Sequence, residues 1–214
     1  QADLTGGKVS FMHDGTNTAG DVAVKNIVSI AAPMDTHKMG MLAWVMQRVP
    51  VDQVAKRMGN VPGPVSSLGF RMLTPAKNLT RYADLFMNMY DQDYVNGFDS
   101  MNQWMSQLGD YPQEAFVQFT RDFMKHNKLY KGQMKFRGKL ADLKKVKASL
   151  LSFAGKGDQV APPSAVKAAM KAVGSKDKTY VEVRGGHMGV FAGSGAPKNV
   201  WGPAADWLAT RSKS

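Results

Sequence analysis

The segment Gly157-Asp158-Gln159-Val160-Ala161-Pro162-Pro163, followed downstream by Gly185-Gly186-His187-Met188-Gly189, decides how this chain reads. Each segment follows a strand-like run, Lys147–Ala154 before the first and the alternating Thr179–Val183 before the second. An aspartate after one strand and a histidine after the next are the last two members of a nucleophilic triad in the chain order nucleophile, acid, histidine. Open α/β sheets gather functional groups in the loops at the carboxyl ends of their strands, so Asp158 and His187 are expected on one rim. A histidine with an unperturbed pKa of about 6.5 takes a proton from a nucleophile and returns it to a leaving group. The carboxylate fixes the ring's tautomer and stabilises the imidazolium. Taken singly, Asp158 reads as a turn or capping residue and His187 as a loop histidine bonded to backbone. Their paired placement carries the catalytic expectation.

Working outward, residues 26–34 (Asn-Ile-Val-Ser-Ile-Ala-Ala-Pro-Met) form a continuously apolar run ending at a proline, the pattern of a buried parallel strand. Before it, Lys8–His13 reads as a short helix stopped by the turn residues Asp14-Gly15-Thr16-Asn17. From Asp35 to about Lys135 the chain is rich in methionine and aromatics at helical spacing (Leu42, Val45, Met46, Val49; Phe86, Met89, Tyr90; Phe116, Phe119, Phe123), interrupted by Pro62-Gly63-Pro64. This stretch reads as several helices joined by loops. A helix is expected over Ser164–Val173, with Ser164 as N-cap and Gly174 as its stop. After the Gly-rich 185–195 an amphipathic helix near Asn199–Thr210 carries Val200, Trp201, Trp207 and Leu208. The order strand, helical insertion, strand, helix, strand, helix gives an α/β protein with a mostly parallel sheet. Residues 1–34 and 136–214 form its core, and 35–135 an inserted helical lobe.

Composition sets the bounds. The 214 residues, 43% hydrophobic, suffice for one domain with an insertion. No apolar run approaches the roughly 18 residues of a membrane span, and no secretory pattern opens the chain, so a soluble, cytoplasmic protein without a transmembrane segment is expected. The lack of cysteine excludes disulfides and thiolate metal sites. His13, His37, His126 and His187 show no metal-ligand spacing, so neither a metal nor a redox cofactor is expected. The net charge of +11 is uneven: residues 1–120 carry 9 Lys+Arg against 11 Asp+Glu, and residues 121–214 carry 19 against 6. Such a basic half attracts phosphates, whether of nucleic acid or of an acyl-CoA, or is simply a solvated lysine surface. Lys144, Lys145 and Lys147 are not interleaved with aromatics as a single-strand binding platform requires, and no nucleic-acid partner is expected.

A wider pattern runs from Trp104 through Pro112, Asn127, Leu129, Gly132, Gly138, Asp142, Leu143, Asp158, Pro162, Gly186, His187 and Gly189. Upstream of it, Ala32-Pro33-Met34-Asp35 forms a small-Pro-apolar-Asp turn. Together these resemble the C-terminal half of polyhydroxyalkanoate synthases and their α/β-hydrolase relatives, over roughly residues 25–210. The resemblance implies a partial α/β-hydrolase fold with a helical cap at 35–135. It implies a triad of Cys (Ser in some relatives), Asp and His that moves a 3-hydroxyacyl group from its CoA thioester to a growing polyester. By that comparison Asp158 matches the family's aspartate and His187 its general base, with acyl-CoA and polyester as partners. A granule surface or a homo-oligomer is a further expectation.

The nucleophile departs from the pattern. Aligning Gly6-Gly7 with the two glycines of the family's G-x-C-x-G-G elbow puts Leu4, which has no nucleophilic atom, in its place. Ser194 follows the histidine rather than preceding it, Ser10 lacks the flanking glycines of an elbow, and Asp3 is one position out of register. The expectation is therefore a fragment of a longer acyltransferase whose nucleophile lies elsewhere. An esterase, thioesterase or depolymerase using the same pair, and an inactive relative acting by interaction, remain open.

Overall fold

A computed structural model describes residues 24–48, 50–72, 75–136 and 138–211. Three strands, β1 (Asn26–Ile30), β4 (Ser149–Gly155) and β5 (Lys178–Val183), form a parallel sheet in the order β1-β4-β5. β2 (Lys135–Phe136) and β3 (Lys139–Leu140) make a small antiparallel ladder. The helices are α1 (Gly40–Arg48), α2 (Val51–Met58), α3 (Gly63–Met72), α4 (Pro75–Met87), α5 (Gln92–Ser106), α6 (Gln113–Val117), α7 (Pro163–Lys167), α8 (Ala169–Ala172), α9 (His187–Ala192) and α10 (Gly202–Ala209). Two wide π-turn segments, Gln118–Lys125 and Pro197–Trp201, precede the Asn127 turn and α10. The strand order, the parallel pairing and the helical insertion after β1 make this a partial α/β-hydrolase fold.

The described residues divide into two compact units, one ending its first stretch at Gln47 and resuming at Asp122, the other Arg48–Arg121. In the first, β4 is the middle strand and is apolar on both faces, as a strand covered from two sides must be. Leu151 and fully buried Phe153 pack with Val183, Val190, Val200 and Ala204. From the other face Leu150 meets Ala169 and Val173, and Ala154 meets Ala161 and Val166. Beside these lies a cluster of Met39, Ala43, Met124 and Ala165.

Buried polar bonds fix the chain after β1. Thr36 is fully buried; its N–H donates to Asn127 Oδ1 (3.2 Å) and its hydroxyl to the carbonyls of Phe123 (2.9 Å) and Met124 (3.1 Å). Asn127 Nδ2 donates to Asp35 Oδ1 at 2.7 Å, and Lys38 Nζ lies 3.2 Å from Asp35 Oδ2.

The second unit is helical. Val61 and Tyr111 exchange backbone bonds of 2.9 and 2.8 Å, Gly63 N–H donates to Asp110 Oδ1 (3.0 Å), and Asp91 caps α5 by accepting from Asp93 and Tyr94. Tyr82 and Phe98 meet edge to face at 5.8 Å, with the Arg81 guanidinium over both rings. Phe86, Met87 and Tyr90 stand exposed.

Three local expectations are corrected. The helix after β4 begins at Pro163, not behind a Ser164 cap: Pro162 is the N-cap, and a proline at the first helical position leaves no N–H to satisfy. That helix is also interrupted at Ala168. The amphipathic C-terminal helix opens as a π-turn, where Gly202 N–H reaches back to Pro197 O; Pro203 has no N–H, so the regular ladder is missing a donor there. The expected helix over Lys8–His13 lies outside the described residues.

Candidate active site

The register of the sheet decides what stands beside what. Gly155, last in β4, pairs with Val183, last in β5. The loops that follow therefore leave the same rim on adjacent strands. They are bonded to each other, Lys156 N–H to Val183 O (2.9 Å) and Gly157 N–H to Gly185 O (3.0 Å). A Cβ on Gly155 would lie 2.6 Å from Val190 Cγ2 and 2.7 Å from Gly185 O, so only glycine admits this approach. Gly185 itself has φ +135°, a backbone region where a side chain is strained.

Asp158 sits three residues past β4 and its side chain is fully buried. Oδ1 accepts from the N–H groups of Val160 (2.9 Å) and Ala161 (2.8 Å), which orients the carboxyl group rigidly. Oδ2 faces His187 Nδ1 at 2.8 Å. A carboxylate only accepts, so Nδ1 carries the proton and Nε2 of the neutral ring presents its lone pair. His187, the first residue of α9, keeps 37% of its side chain exposed, so one edge of the imidazole is held and the other is open. The structure thus brings together the two residues that the sequence pairs.

The Gly-rich stretch is more regular than its composition suggests. α9 forms because Val190 is driven under β4 and its N–H reaches Gly186 O (3.0 Å). Lys156 and Arg184, each directly after a strand, stand exposed on the same rim; neither was singled out from sequence, and only the strand ends mark them. Leu4, Asp3 and Ser10 lie outside the described residues. Ser194 is in the turn after α9. Among the described residues no group of three or more His, Asp or Glu side chains is arranged to hold a metal ion.

An aspartate and a histidine bonded across the carboxyl ends of neighbouring parallel strands are the arrangement in which the α/β-hydrolase fold carries its acid and histidine. A family model described as PHB de-polymerase C-terminus matches residues 22–210, and the chain belongs to that family. Its relatives include the Poly(3-hydroxyalkanoate) polymerase subunit PhaC of Haloarcula marismortui, 33% identical over 160 residues, covering 74% of this chain and 34% of that one. The same-named proteins of Thiocystis violacea (35% identical, 88% of this chain and 54% of that one) and Allochromatium vinosum (31% identical, 96% and 58%) also match. The resemblance to polyhydroxyalkanoate synthases therefore holds across the chain, which spans from about a third to somewhat over half the length of these relatives. Among solved structures, the monoacylglycerol lipase of Paleococcus ferrophilus overlays with a TM-score of 0.43 at 16% identity, over 87% of this chain and 59% of that one.

Proposed function

We propose that this chain supplies the acid–base half of a polyhydroxyalkanoate-synthase-type acyltransferase, with His187 as general base and acid and Asp158 as its orienting partner. The observation that carries the reading is the 2.8 Å contact between Asp158 Oδ2 and His187 Nδ1, which leaves Nε2 open to a nucleophile. The nucleophile belongs to residues outside those described. Nε2 takes its proton as it attacks the thioester carbonyl of a 3-hydroxyacyl-CoA, and protonates the departing CoA thiolate. In the second half-reaction Nε2 takes the proton of the hydroxyl at the polyester end, which attacks the acyl-enzyme, and returns it to the released nucleophile. Exposed Lys156 and Arg184, directly after β4 and β5, offer charge to the CoA phosphates. In this reading the unit Arg48–Arg121 with its flanks, residues 35–135, is the cap. Its exposed Phe86, Met87 and Tyr90 suit an acyl chain, a granule surface or a second copy. No helix among the described residues is long and apolar enough to cross a membrane. A cytoplasmic location accords with the cytosolic supply of acyl-CoA.

The test is incubation of 3-hydroxybutyryl-CoA with purified protein in which this chain is joined to the segment that carries the nucleophile, reading thiol release and polymer together. Polymer that disappears in His187→Ala, a loss on the order of 10²–10⁴-fold or more, supports the reading. Free acid without polymer moves the chain to the thioesterases. No turnover by that complete protein overturns catalysis and leaves an interaction protein.

A further inference from the structure

Five lysines of the basic second half, joined by Lys25 of the first, gather on one rim once the strands are placed. Because β1, β4 and β5 are parallel, their amino ends share the rim opposite Asp158 and His187. Lys25 precedes β1; Lys144, Lys145 and Lys147 precede β4; Lys176 precedes β5; and Lys171 joins them from the last turn of α8. All six are exposed. The turns that carry them abut: Gly174 N–H donates to Leu143 O (3.1 Å), and Lys147 Nζ donates to the carbonyls of Lys144 (3.0 Å) and Gly174 (3.5 Å). Lys178 turns inward and donates to Met170 O and Val173 O at 2.7 and 3.1 Å.

Among the described residues two carboxylates stand beside these turns, and both are engaged. Asp142 accepts from Lys144 N–H at 3.0 Å, and Asp177 is held bidentately by Arg211 at 2.7 and 3.2 Å. Among the described residues, none of the six exposed lysines forms an ion pair. Like charges crowded on rigid turns repel one another, and an external polyanion relieves that repulsion.

The chemistry of the rim narrows the partner. Its free cations are ammonium point charges, without the bidentate guanidinium fork that reads a particular phosphate or base. No large exposed hydrophobic side chain lies on 143–149 or 170–178, so neither base stacking nor insertion into an acyl layer is available. The lysines come from three strand ends, spaced by about 4.8 Å across the sheet, and from a helix end beside it. That makes a two-dimensional array, matched to a flat anionic surface better than to a linear strand. β4 alone is about 20 Å long, so these lysines stand at the far end of the sheet from the Asp158–His187 rim and do not serve a substrate there.

We propose that this lysine rim docks the sheet unit on an anionic phospholipid surface, with the Asp158–His187 rim turned away into water. The proposal goes beyond the acyltransferase reading and does not depend on it. The test is flotation of the whole chain with phosphatidylcholine vesicles, with and without about 30% phosphatidylglycerol, at about 50 and about 500 mM salt. The expected result is binding only to the anionic vesicles, weaker by about tenfold or more at high salt. The triple charge reversal Lys144→Glu, Lys145→Glu, Lys176→Glu should lower that binding by a similar factor while the thermal transition stays in place. The triple reversal Lys131→Glu, Lys156→Glu, Lys198→Glu, none of them a rim lysine, should retain it. Equal loss from both triples would reduce the effect to net charge and overturn the assignment. So would absence of binding to the anionic vesicles, or tighter binding to a DNA duplex than to the vesicles under the same salt.

Discussion

The two oxygens of Asp158 have different tasks: Oδ1 is fixed by two backbone N–H groups and Oδ2 fixes the imidazole. Asp158→Asn separates them. The amide oxygen can keep the backbone bonds, but the amide nitrogen then donates toward Nδ1 and pushes the ring proton to Nε2. Nitrogen-15 NMR of His187 should show the neutral ring protonated at Nδ1 in the parent and at Nε2 in the variant, and an unchanged tautomer would dismiss the orienting role. Where turnover is measurable it should fall by about 10³–10⁴-fold. Both residues were legible in the sequence, because a chemical type placed directly after a strand is a local signal. Lys156 and Arg184 were not, since a lysine or arginine next to a strand has no meaning until the strand's end is known to be the functional rim.

Among the elements, the π-turn segment Gln118–Lys125 and the turn after it depend on one side chain. Asn127 has φ +53°, which asparagine tolerates better than other side-chain-bearing residues, and its amide bonds both Asp35 and Thr36 while almost wholly buried. Asn127→Ala removes one partner of a buried carboxylate, leaving it Lys38, and strains the backbone, and should lower stability by about 2–4 kcal/mol in urea unfolding. Asn127→Gly relieves the strain alone and should recover about 1 kcal/mol of that loss; equal losses would place the whole effect in the side-chain bonds. None of this was visible beforehand, because Asp35 and Asn127 are 92 residues apart. The three sheet strands, by contrast, were read to within a few residues, from runs long enough to show β character. The helix beginnings at Pro163 and Pro197 were misread, because a proline's missing donor reshapes the ladder around it in ways that hydrophobic spacing does not record.

Across the whole molecule, Arg211, just after α10, is tied to the start of β5. The Arg211 guanidinium bonds the Asp177 carboxylate and lies 4.2 Å over the Trp207 ring, and its carbonyl accepts from Asn26 Nδ2. Hydrogen bonds from Arg211, and then from Ser149, hold the Asp177 carboxyl below the ordinary carboxylate range. A lowered acid pKa contributes stability that is complete above about pH 4 and is lost as pH falls through the lowered value. Arg211→Gln should therefore flatten the acid side of the stability–pH curve, followed by tryptophan fluorescence, and leave the curve's shape above about pH 5 unchanged. A parallel acid limb in both proteins would mean that other carboxylates set it. Taken by itself, the sequence determined the element types, the α/β class and the pair Asp158 and His187, because hydrophobic period and residue chemistry are written locally. Only the tertiary structure decided that Gly155 and Val183 share a register, that Asp35 and Asn127 meet, and that Lys25 and five lysines of the second half share the rim away from the histidine. Those facts follow from parallel pairing, which joins residues far apart in the chain and leaves no mark on the stretch between them.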